Sequence, residues 1–339
     1  RARGRFVDDH HLELDSLRKE KGSLPVPPRI KFRSLLISTG SCVSPPPIPG
    51  LEEAGYLTSD DAIHLTQPPS SLVVLGGGPI AVEFADYFHR MEVKTTLIQR
   101  SSHILKGQDD DVGAEVEKAF RHDGMKLFTG TQLKKVRLSG KEKIIEFDHD
   151  GKRRTVRTEE ILYALGRQPA TDSLNLESAG IRLRGKAVAI NKKLQTSRPH
   201  IFAAGDVSGP YEIVHVAIEQ GEAAAKNAAS IIGRSKKKLC PMNYQVPMEI
   251  VFCEPEVASV GMTEKMARDA KVDYVSASYP FNDHGKSIIK GAKFGFVKCL
   301  ADRKGGRLIG AQIVGPGAAD LIHEFSVALT FRATVDKFL

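Results

Sequence analysis

The sequence contains no tryptophan, and aromatic residues make up only 6% of its 339 residues. Because single-stranded nucleic acid binds by stacking its bases on aromatic side chains, this composition offers no such platform. The net charge is +8, but the basic residues are scattered apart from short runs at residues 153–154 and 236–238. We therefore expect no nucleic-acid partner and interpret the charge as a solvated surface that attracts anionic nucleotides. No apolar run is long enough to span a membrane and no signal peptide is recognisable, so we expect no membrane partner.

The spacing of cysteine and histidine excludes the common dithiol and zinc motifs. The four cysteines, Cys42, Cys240, Cys253 and Cys299, form no CxxC or CxxxxC pair. Scattered cysteines of this kind are usually reduced, which favours a cytoplasmic location. We predict no metal site, because no carboxylate or cysteine accompanies the histidines at the spacing of a metal motif, and we interpret them as surface residues. These histidines are His10, His11, His103 and His122.

Residues 71–100 have the pattern of a complete nucleotide-binding βαβ unit. An apolar run at residues 72–75 predicts a strand that stops at a run of three glycines. A helical pattern follows, and a second apolar run ends at residue 98. The apolar residues of the predicted helix are spaced by four and are Ile80, Phe84 and Phe88.

The glycine pattern is GxGxxA, and each small residue has a separate physical purpose. Gly76 permits the tight turn, Gly78 lets backbone N–H groups approach a pyrophosphate, and Ala81 allows the helix to pack closely on the sheet. Pro79 suits the first helical turn, where a backbone N–H would have no partner within the helix. The helix N-terminus then offers free N–H donors and the positive end of its dipole to phosphate. The alternative is a glycine-rich loop without a ligand.

The end of the second strand indicates which nucleotide binds. Folds specific for NAD usually place Asp or Glu about 20 residues after the glycines, where it bonds the ribose hydroxyls. Gln99 occupies that position without a charge that would repel a 2′-phosphate, and Arg100 and Lys106 follow it. An arginine binds phosphate through two parallel hydrogen bonds and a lysine adds a point charge, so we predict NADP, with NAD as the alternative cofactor. The other interpretation is that both cations are solvated surface residues.

A second pattern lies at residues 196–206, where a turn and the apolar run IFAA lead to Gly205 and Asp206. A carboxylate at the C-terminal end of a strand in an open α/β sheet lies where such sheets bind ligands, and it can accept hydrogen bonds from a polyol such as ribitol. Taken alone, a Gly-Asp pair after a strand is usually structural. Two further strands that close on glycine, at residues 36–40 and 163–166, flank the nucleotide unit and favour a ligand site.

This order of motifs resembles the pyridine nucleotide–disulfide oxidoreductase family, which includes glutathione reductase, lipoamide dehydrogenase and mercuric reductase, over nearly the whole chain. Residues 36–40 and 165–169 resemble the crossovers between flavin and nucleotide domains, and residues 201–206 resemble the segment that holds the FAD ribitol. Residues 247–264 are similar to the start of the dimerisation domain. Besides the residues of the glycine turn, the resemblance assigns cofactor binding to a set on these segments and the following helix. They are Thr39, Gly40, Gly166, Arg167, Gly205, Asp206, His215 and Ala217.

The resemblance implies an α/β fold with FAD- and NAD(P)-binding Rossmann-like domains and a C-terminal α+β dimerisation domain. The implied domains are residues 1–45 and 167–240 for the flavin, 46–166 for NAD(P) and 241–339 for dimerisation. The implied activity is hydride transfer from NADPH to FAD, and then electron transfer to a disulfide or a related small-molecule acceptor. A homodimer is implied as well.

Two features of the family are missing from this sequence. They are the first FAD-binding βαβ unit with its CxxxxC redox pair, and the His-Pro-Thr segment with the acid–base histidine. We therefore expect a fragment of a longer flavoenzyme that is incomplete for disulfide chemistry. The alternative is a naturally reduced relative, which would serve as a non-catalytic NADPH-binding or redox-sensing module.

Glu83 lies at the edge of the apolar stripe of the predicted helix. The family has a glutamate here that pairs with a lysine on the flavin side, so the resemblance implies a catalytic role. The alternative is a partly exposed helical glutamate without a functional partner. Pro79 stands where several relatives carry an aromatic residue over the flavin.

The C-terminal hundred residues predict an α+β arrangement, with strands near residues 249–252, 294–300 and 308–314 and a helix from about residue 318. The helix carries an apolar stripe with spacings of three and four. The stripe consists of Ala318, Leu321, Ile322, Phe325, Ala328 and Leu329. A monomer could bury this stripe against its own strands, but the resemblance favours a dimer interface.

Overall fold

A computed structural model describes residues 2–16, 27–234, 238–244 and 247–338. Contacts within the chain divide it into two compact units. Unit 1 comprises Arg1–Ser44 and Arg167–Tyr244, and unit 2 comprises Pro45–Gly166 and Gln245–Leu339. Unit 2 therefore contains both the segment predicted to bind NAD(P) and the segment predicted to dimerise. The division into four domains remains a prediction.

The strands of the described residues are numbered in chain order. They are β1 (Ala2–Phe6), β2 (His11–Ser16), β3 (Arg29–Lys31), β4 (Leu35–Ile37), β5 (Ser41–Val43), β6 (Ser71–Leu75), β7 (Lys94–Ile98), β8 (Lys126–Phe128), β9 (Gln132–Ser139), β10 (Glu142–His149), β11 (Lys152–Thr158), β12 (Glu160–Tyr163), β13 (Arg167–Pro169), β14 (Leu183–Arg184), β15 (Ala187–Val188), β16 (Ile201–Ala203), β17 (Met248–Val251), β18 (Val257–Gly261), β19 (Tyr274–Pro280), β20 (Phe296–Asp302) and β21 (Leu308–Val314).

The α-helices are numbered in the same way. They are α1 (Leu51–Ala54), α2 (Ser59–Ala62), α3 (Pro79–Arg90), α4 (Asp110–His122), α5 (Val214–Ile231), α6 (Glu264–Asp269), α7 (Gly285–Ile289), α8 (Ala318–Thr330) and α9 (Val335–Phe338). Single 3₁₀ turns occur at Leu176–Ala179 and Phe281–Asp283. Among the described residues, no helix combines the length and the hydropathy needed to cross a membrane.

A parallel four-stranded sheet in the order β12-β6-β7-β8 forms the centre of the nucleotide-binding part of unit 2. Residues 72–75 of β6 are all buried, as is typical of a parallel strand that is covered on both faces. The chain passes from β6 through a glycine turn into α3 and then into β7. The structure therefore confirms the predicted strand–turn–helix–strand order and the α/β fold class.

The helix α3 packs on this sheet mainly through small side chains. Ala81 and Ala85 are fully buried, whereas Ile80 and Phe84 are only half-buried. Small side chains let the helix backbone approach the sheet closely, which large side chains on the same face would prevent. The burial of Ala81 agrees with the close packing predicted for it, and of the residues spaced by four Phe88 lies in the core while Phe84 packs against its edge.

A five-stranded antiparallel sheet in the order β17-β18-β21-β20-β19, together with helix α8, forms the rest of unit 2. Ile322 and Phe325 of α8 belong to one buried cluster with Ala258 and Ile313 of the sheet. The predicted apolar stripe of this helix is therefore core within the chain, and its interpretation as a dimer interface is wrong. The physical reason is that the strands already present a complementary apolar face to the helix. Leu321, which is 37% exposed, lies outside that core.

A buried ionic cluster joins the nucleotide-binding part of unit 2 to the antiparallel sheet. Lys298 of β20 is 3% exposed, and its Nζ lies 2.9 Å from Asp109 Oδ2 and 2.7 Å from Asp111 Oδ1. Asp109 also accepts hydrogen bonds from the backbone N–H groups of Glu264 and Lys265 at the start of α6. Because a buried charge is costly without partners, these contacts fix the two parts of unit 2 to each other.

Unit 1 is built from short paired strands and one long helix. Strands β4 and β16 run parallel, β5 and β13 pair antiparallel, and β1, β2 and β3 form a separate antiparallel sheet. Helix α5 packs on β4 and β16 and buries Val216, Gln220 and Ala224 along one face. Since β4 and β16 are parallel neighbours, their C-terminal ends bring residues 38–41 and 204–206 to the same edge, where open α/β sheets bind ligands.

Candidate functional site

The glycine turn of unit 2 is a tight connection between β6 and α3. Gly76 has a φ of 127°, and a Cβ atom there would lie 2.3 Å from the carbonyl oxygen of Ala164. Only glycine fits a position with both this backbone conformation and this close approach. The Gly76 N–H donates to the carbonyl oxygen of Ile98 at 3.0 Å, so the turn is fixed to the end of β7.

Gly78 differs from Gly76, because its backbone conformation is ordinary and its surroundings are open. It is the N-cap of α3 with a φ of −78°, and a Cβ atom there would meet nothing within 4 Å. No side chain caps the helix, and Pro79 occupies the first turn. The first N–H groups of α3 therefore face space that a diphosphate can enter, which fits the predicted nucleotide.

Gln99 supports the glycine turn from inside the protein. Its side chain is 7% exposed and lies so close to Gly77 that a Cβ atom there would be 2.8 Å from its Cδ. Its Oε1 accepts a hydrogen bond from the backbone N–H of Arg100 at 3.0 Å. These contacts hold Gly77 against the end of β7, and the predicted contact of Gln99 with a ribose remains a prediction.

The loop that follows β7 carries both predicted phosphate-binding cations. The Leu105 N–H donates to the carbonyl oxygen of Gly77 at 2.6 Å, so this loop is tied directly to the glycine turn. Arg100 and Lys106 lie on either side of that contact along the chain, and both are exposed. Neither forms an ion pair within the parts of the chain that the structure describes, so both charges can face an anion.

Glu83 lies on α3 and is half-buried. Its Oε1 accepts a hydrogen bond from the backbone N–H of Phe252 at 3.0 Å, and burial raises the pKa of its carboxyl group. It lines an apolar cavity of about 460 Å³ together with Phe84, Tyr87 and Phe252. The structure thus gives Glu83 a partner within unit 2, and its catalytic role remains a prediction.

Unit 1 brings together predicted residues from three separate segments. Arg167 Nε donates to Ser41 Oγ at 2.8 Å, and the Ser41 hydroxyl donates to Asp206 Oδ2 at 2.8 Å. The Thr39 hydroxyl donates to the carbonyl oxygen of Ala170 at 2.9 Å, which fixes the strand end next to Gly40. The Oδ1 atom of Asp206 forms no hydrogen bond with any residue that the structure describes, so it can accept one from a polyol.

Glu212 adds a second carboxylate to this group. Burial and, after it, the negative charge of Asp206 raise the pKa of Glu212, while Arg167 opposes the shift. His215 is exposed in the first turn of α5. Ala217 is half-buried, and a Cβ atom added to Gly205 would lie 3.4 Å from the Cβ atom of Ala217. The start of α5 has no side-chain cap, and its N–H groups are therefore open to an anion.

Gln220 is the residue of this region that the sequence interpretation missed. It is fully buried, its Oε1 accepts a hydrogen bond from the Gly205 N–H at 2.5 Å, and its Nε2 donates to the Gly209 carbonyl and the Tyr244 hydroxyl. The signal was a polar residue between Val216 and Ala224 on the apolar face of a helix. Ser41 was missed as well, although it directly follows Gly40.

The cysteines are free in the structure and form no pair among the described residues. Cys42 and Cys240 are exposed, whereas Cys253 is buried and Cys299 half-buried. Burial raises the pKa of both Cys253 and Cys299, so these two thiols are poor nucleophiles at neutral pH.

Two protein-family models match the sequence. The model described as "Pyridine nucleotide-disulphide oxidoreductase" matches residues 8–221, and the one described as "Pyridine nucleotide-disulphide oxidoreductase, dimerisation domain" matches residues 247–339. The chain is 32% identical over 337 residues to a mercuric reductase of Staphylococcus aureus, with 99% of this chain and 58% of that protein covered. It is also 32% identical to a dihydrolipoyl dehydrogenase of Mycobacterium leprae, with 99% of this chain and 70% of that protein covered.

Solved structures with the same fold include LpdA from Mycobacterium tuberculosis, with a TM-score of 0.81 and 26% identity over 99% of this chain and 71% of that one. The Cu(II) complex of the HOCl-induced flavoprotein disulfide reductase RclA from Escherichia coli has a TM-score of 0.83 at 24% identity, with 98% of this chain and 72% of that one covered. The likeness to RclA shows the fold alone. The chain spans little more than half of the S. aureus mercuric reductase.

Proposed function

The chain belongs to the pyridine nucleotide-disulphide oxidoreductase family, and we propose that it supplies the NAD(P)H site and part of the flavin site of an FAD-dependent oxidoreductase of the disulfide reductase type. In this proposal electrons pass from NADPH to the flavin and on to a disulfide or related small-molecule acceptor. The observation that carries it is the glycine turn, whose open Gly78 lies beside a loop with two exposed cations.

The nucleotide is held mainly by backbone groups of unit 2. The N–H groups at the start of α3 bind the diphosphate, because the helix dipole and the open Gly78 favour an anion there. Arg100 and Lys106 bind the 2′-phosphate, which gives NADPH its advantage over NADH. When bound, the nicotinamide and the flavin supply the hydride chemistry, and the residues of this chain orient them and exclude water.

The flavin is held by side chains of unit 1. Asp206 accepts a hydrogen bond from the ribitol with the oxygen that Ser41 leaves free. Arg167 holds Ser41 through Nε and through its terminal nitrogen, which donates to the Ser41 carbonyl at 2.9 Å, so Asp206 has a fixed orientation. Thr39 and Gly40 form the strand end beside Asp206, and the uncapped start of α5 at residues 214–217 faces an anionic group of the flavin nucleotide.

Disulfide chemistry is incomplete in this polypeptide. Thiol–disulfide exchange requires a reactive thiolate and a partner thiol, and the sequence has no CxxxxC pair. We therefore expect no NADPH-dependent reduction of glutathione disulfide or lipoamide by this chain alone. Measured turnover of either substrate would overturn that expectation, whereas tight NADPH binding without flavin retention would favour the non-catalytic binding module.

The proposal extends to the oligomeric state of the protein and its location in the cell. The match to a dimerisation domain supports a homodimer, although the stripe of α8 is core. Sedimentation of the 339-residue chain at micromolar concentration tests this, since a mass of one chain at every concentration would exclude the dimer. The scattered free cysteines support a cytoplasmic location.

The direct test of the proposal is calorimetric titration of NADPH into the protein and into a Gly78→Ala variant. Residue 78 has an ordinary φ and open surroundings, so the added methyl group leaves the fold intact but occupies the space of the diphosphate. We expect the dissociation constant to rise about tenfold or more, which corresponds to about 1.4 kcal/mol or more. Equal binding by both proteins, with equal thermal stability, would refute the placement of the nucleotide at this turn.

A further inference from the structure

Two histidines and a carboxylate meet in unit 1, and none of them is among the residues assigned to either nucleotide. Asp9 and His10 lie in the turn between β1 and β2, and His200 directly precedes β16. One ligand atom from each side chain lies within 4.8 Å of the other two. The sequence analysis predicted no metal site and interpreted His10 as a surface residue, and His200, which is 191 residues from Asp9 along the chain, did not enter that prediction. We call these three residues the Asp9 cluster.

In each histidine, one ring nitrogen donates a hydrogen bond to a backbone carbonyl and the other keeps its lone pair. His200 Nε2 lies 2.6 Å from the carbonyl oxygen of Asp9, and His10 Nδ1 lies 3.2 Å from the carbonyl oxygen of Phe32. A carbonyl oxygen only accepts, so each of these nitrogens carries the proton of its ring. His200 Nδ1 and His10 Nε2 are therefore left with lone pairs, and metal-ligating histidines commonly have this arrangement.

The carboxylate of Asp9 is available as the third ligand. Arg198 Nε is 3.8 Å from Asp9 Oδ2, which is an ion-pair distance but too long for a hydrogen bond. The side chain of Asp9 is half-buried, so an ion bound there would be partly shielded from water. An arginine at this distance lowers the affinity for a cation without occupying the ligand atoms.

We propose that the Asp9 cluster binds one divalent transition-metal ion of the zinc, copper or nickel class. Two imidazoles and one carboxylate suit these ions, whereas Mg²⁺ and Ca²⁺ take oxygen ligands. Three protein ligands leave a coordination position for water or for a further ligand.

Ion binding must separate the two imidazole rings. Their centroids are 4.4 Å apart and their planes differ by 12°, so the rings are stacked. A metal ion lies in the plane of each imidazole that binds it, and nearly parallel rings cannot both satisfy this condition. His10 is the exposed ring of the pair and its hydrogen bond to the Phe32 carbonyl is the longer of the two, so His10 is the ring that rotates and gives up that bond.

Calorimetric titration of Zn²⁺ into the chelator-treated chain tests the proposal, with Mg²⁺ as the control ion. The exposed Cys42 and Cys240 are replaced by serine in every sample, so that thiolates cannot supply the site. We expect one Zn²⁺ per chain and no heat from Mg²⁺. His10→Ala and His200→Ala should each weaken Zn²⁺ binding about tenfold or more.

His122→Ala is the matched control, because His122 pairs with Asp123 outside the cluster and its removal should leave the affinity unchanged. Asp9→Asn covers the case in which a histidine variant fails to fold, since it keeps the size of the side chain and removes only the anionic ligand. Unchanged Zn²⁺ affinity in Asp9→Asn and in the folded histidine variants would overturn the proposal, as would the absence of stoichiometric binding by the parent protein. Neither result bears on NADPH binding, which is measured separately at Gly78.

Discussion

The candidate sites of units 1 and 2 are both built around glycine at the end of a parallel strand, but they are assembled differently. The site in unit 2 comes from one continuous stretch, residues 71–106, and backbone atoms form most of its contacts. The site in unit 1 comes from residues 39–41, 167–170 and 205–220; the side chain of Ser41 connects these segments, and Gln220 holds Gly205 to α5. A site of the first kind is sensitive to added atoms, whereas a site of the second kind is sensitive to lost polar groups.

The largest effect is expected from Gly76→Ala in unit 2. Alanine would have to adopt a φ of 127° with its Cβ atom 2.3 Å from a backbone oxygen of Ala164. We expect the free energy of unfolding to fall by about 3 kcal/mol or more, measured by urea denaturation. Gly78→Ala is the control and should lose no more than about 1 kcal/mol. Equal losses in the two variants would remove the distinction between a glycine required by the fold and one required by the ligand.

Gln220→Leu should have the next largest effect, through unit 1. It leaves the Gly205 N–H and the Gly209 carbonyl without their partner in the interior, at a cost of about 2–4 kcal/mol of unfolding free energy. Since Gly205 precedes Asp206, we also expect weaker FAD retention after gel filtration. Glu219→Leu places the same side chain on the exposed face of α5 and should change neither quantity. If Gln220→Leu keeps both stability and flavin, the buried amide does not organise this site.

Arg100→Glu tests the choice of nucleotide in unit 2. We expect the dissociation constant for NADPH to rise about tenfold to a hundredfold, or about 1.4–2.7 kcal/mol, with little change for NADH. Lys94→Glu makes the same charge change at the opposite end of β7 and controls for long-range electrostatics. Calorimetry with both nucleotides provides the measurement. Equal affinity of the unaltered protein for NADPH and NADH would contradict the predicted preference.

The smallest effect concerns the pH dependence of stability at Glu83. Burial raises the pKa of this carboxyl group in the folded protein above its ordinary value of 4.5, so the folded state holds the proton more tightly than the unfolded state. Stability is therefore lost as pH rises from about 4.5 through the folded pKa. Glu83→Gln retains an acceptor for the Phe252 N–H and removes the titration, so it should be more stable than the parent above this window by less than about 1 kcal/mol.

Denaturation curves at pH 4 and pH 8 measure this difference, with the exposed Glu219→Gln as the control. A variant advantage that is the same at both pH values would show that Glu83 does not titrate as its burial implies. A loss of hydride transfer in the full flavoenzyme carrying Glu83→Gln, without a change in stability, would support the catalytic role that the family resemblance implies.

Local patterns predicted the parts of the fold that depend on neighbouring residues. The strand before Gly76, the helix after Pro79 and the strand β21 all follow from apolar runs and glycine or proline signals within a few positions. The family resemblance is confirmed, because motifs in a fixed order are a property of the sequence itself. β19 was missed because nearly all its residues are exposed, so no alternation between core and solvent marks the strand.

The side-chain contacts between distant segments could not be predicted. Nothing near Ser41 in the sequence indicates that it meets Asp206, and nothing near His10 indicates that it meets His200. Such pairs depend on which strands are neighbours, and β4 and β16 are separated by more than the whole nucleotide-binding segment. The apolar stripe of α8 was assigned to a dimer interface for the same reason. Periodicity shows that a helix has an apolar face, but it does not show which surface covers that face.

The buried contact of Lys298 with Asp109 and Asp111 restricts how this protein can be recombined with its relatives. The ammonium group comes from the C-terminal sheet and both carboxylates come from the start of α4, so replacing either part by one that lacks its side of the contact would leave an unpaired charge in the interior. The same replacement would free the start of α6, which Asp109 caps. A chimera joined between the nucleotide-binding part and the C-terminal sheet must therefore carry both sides of this contact.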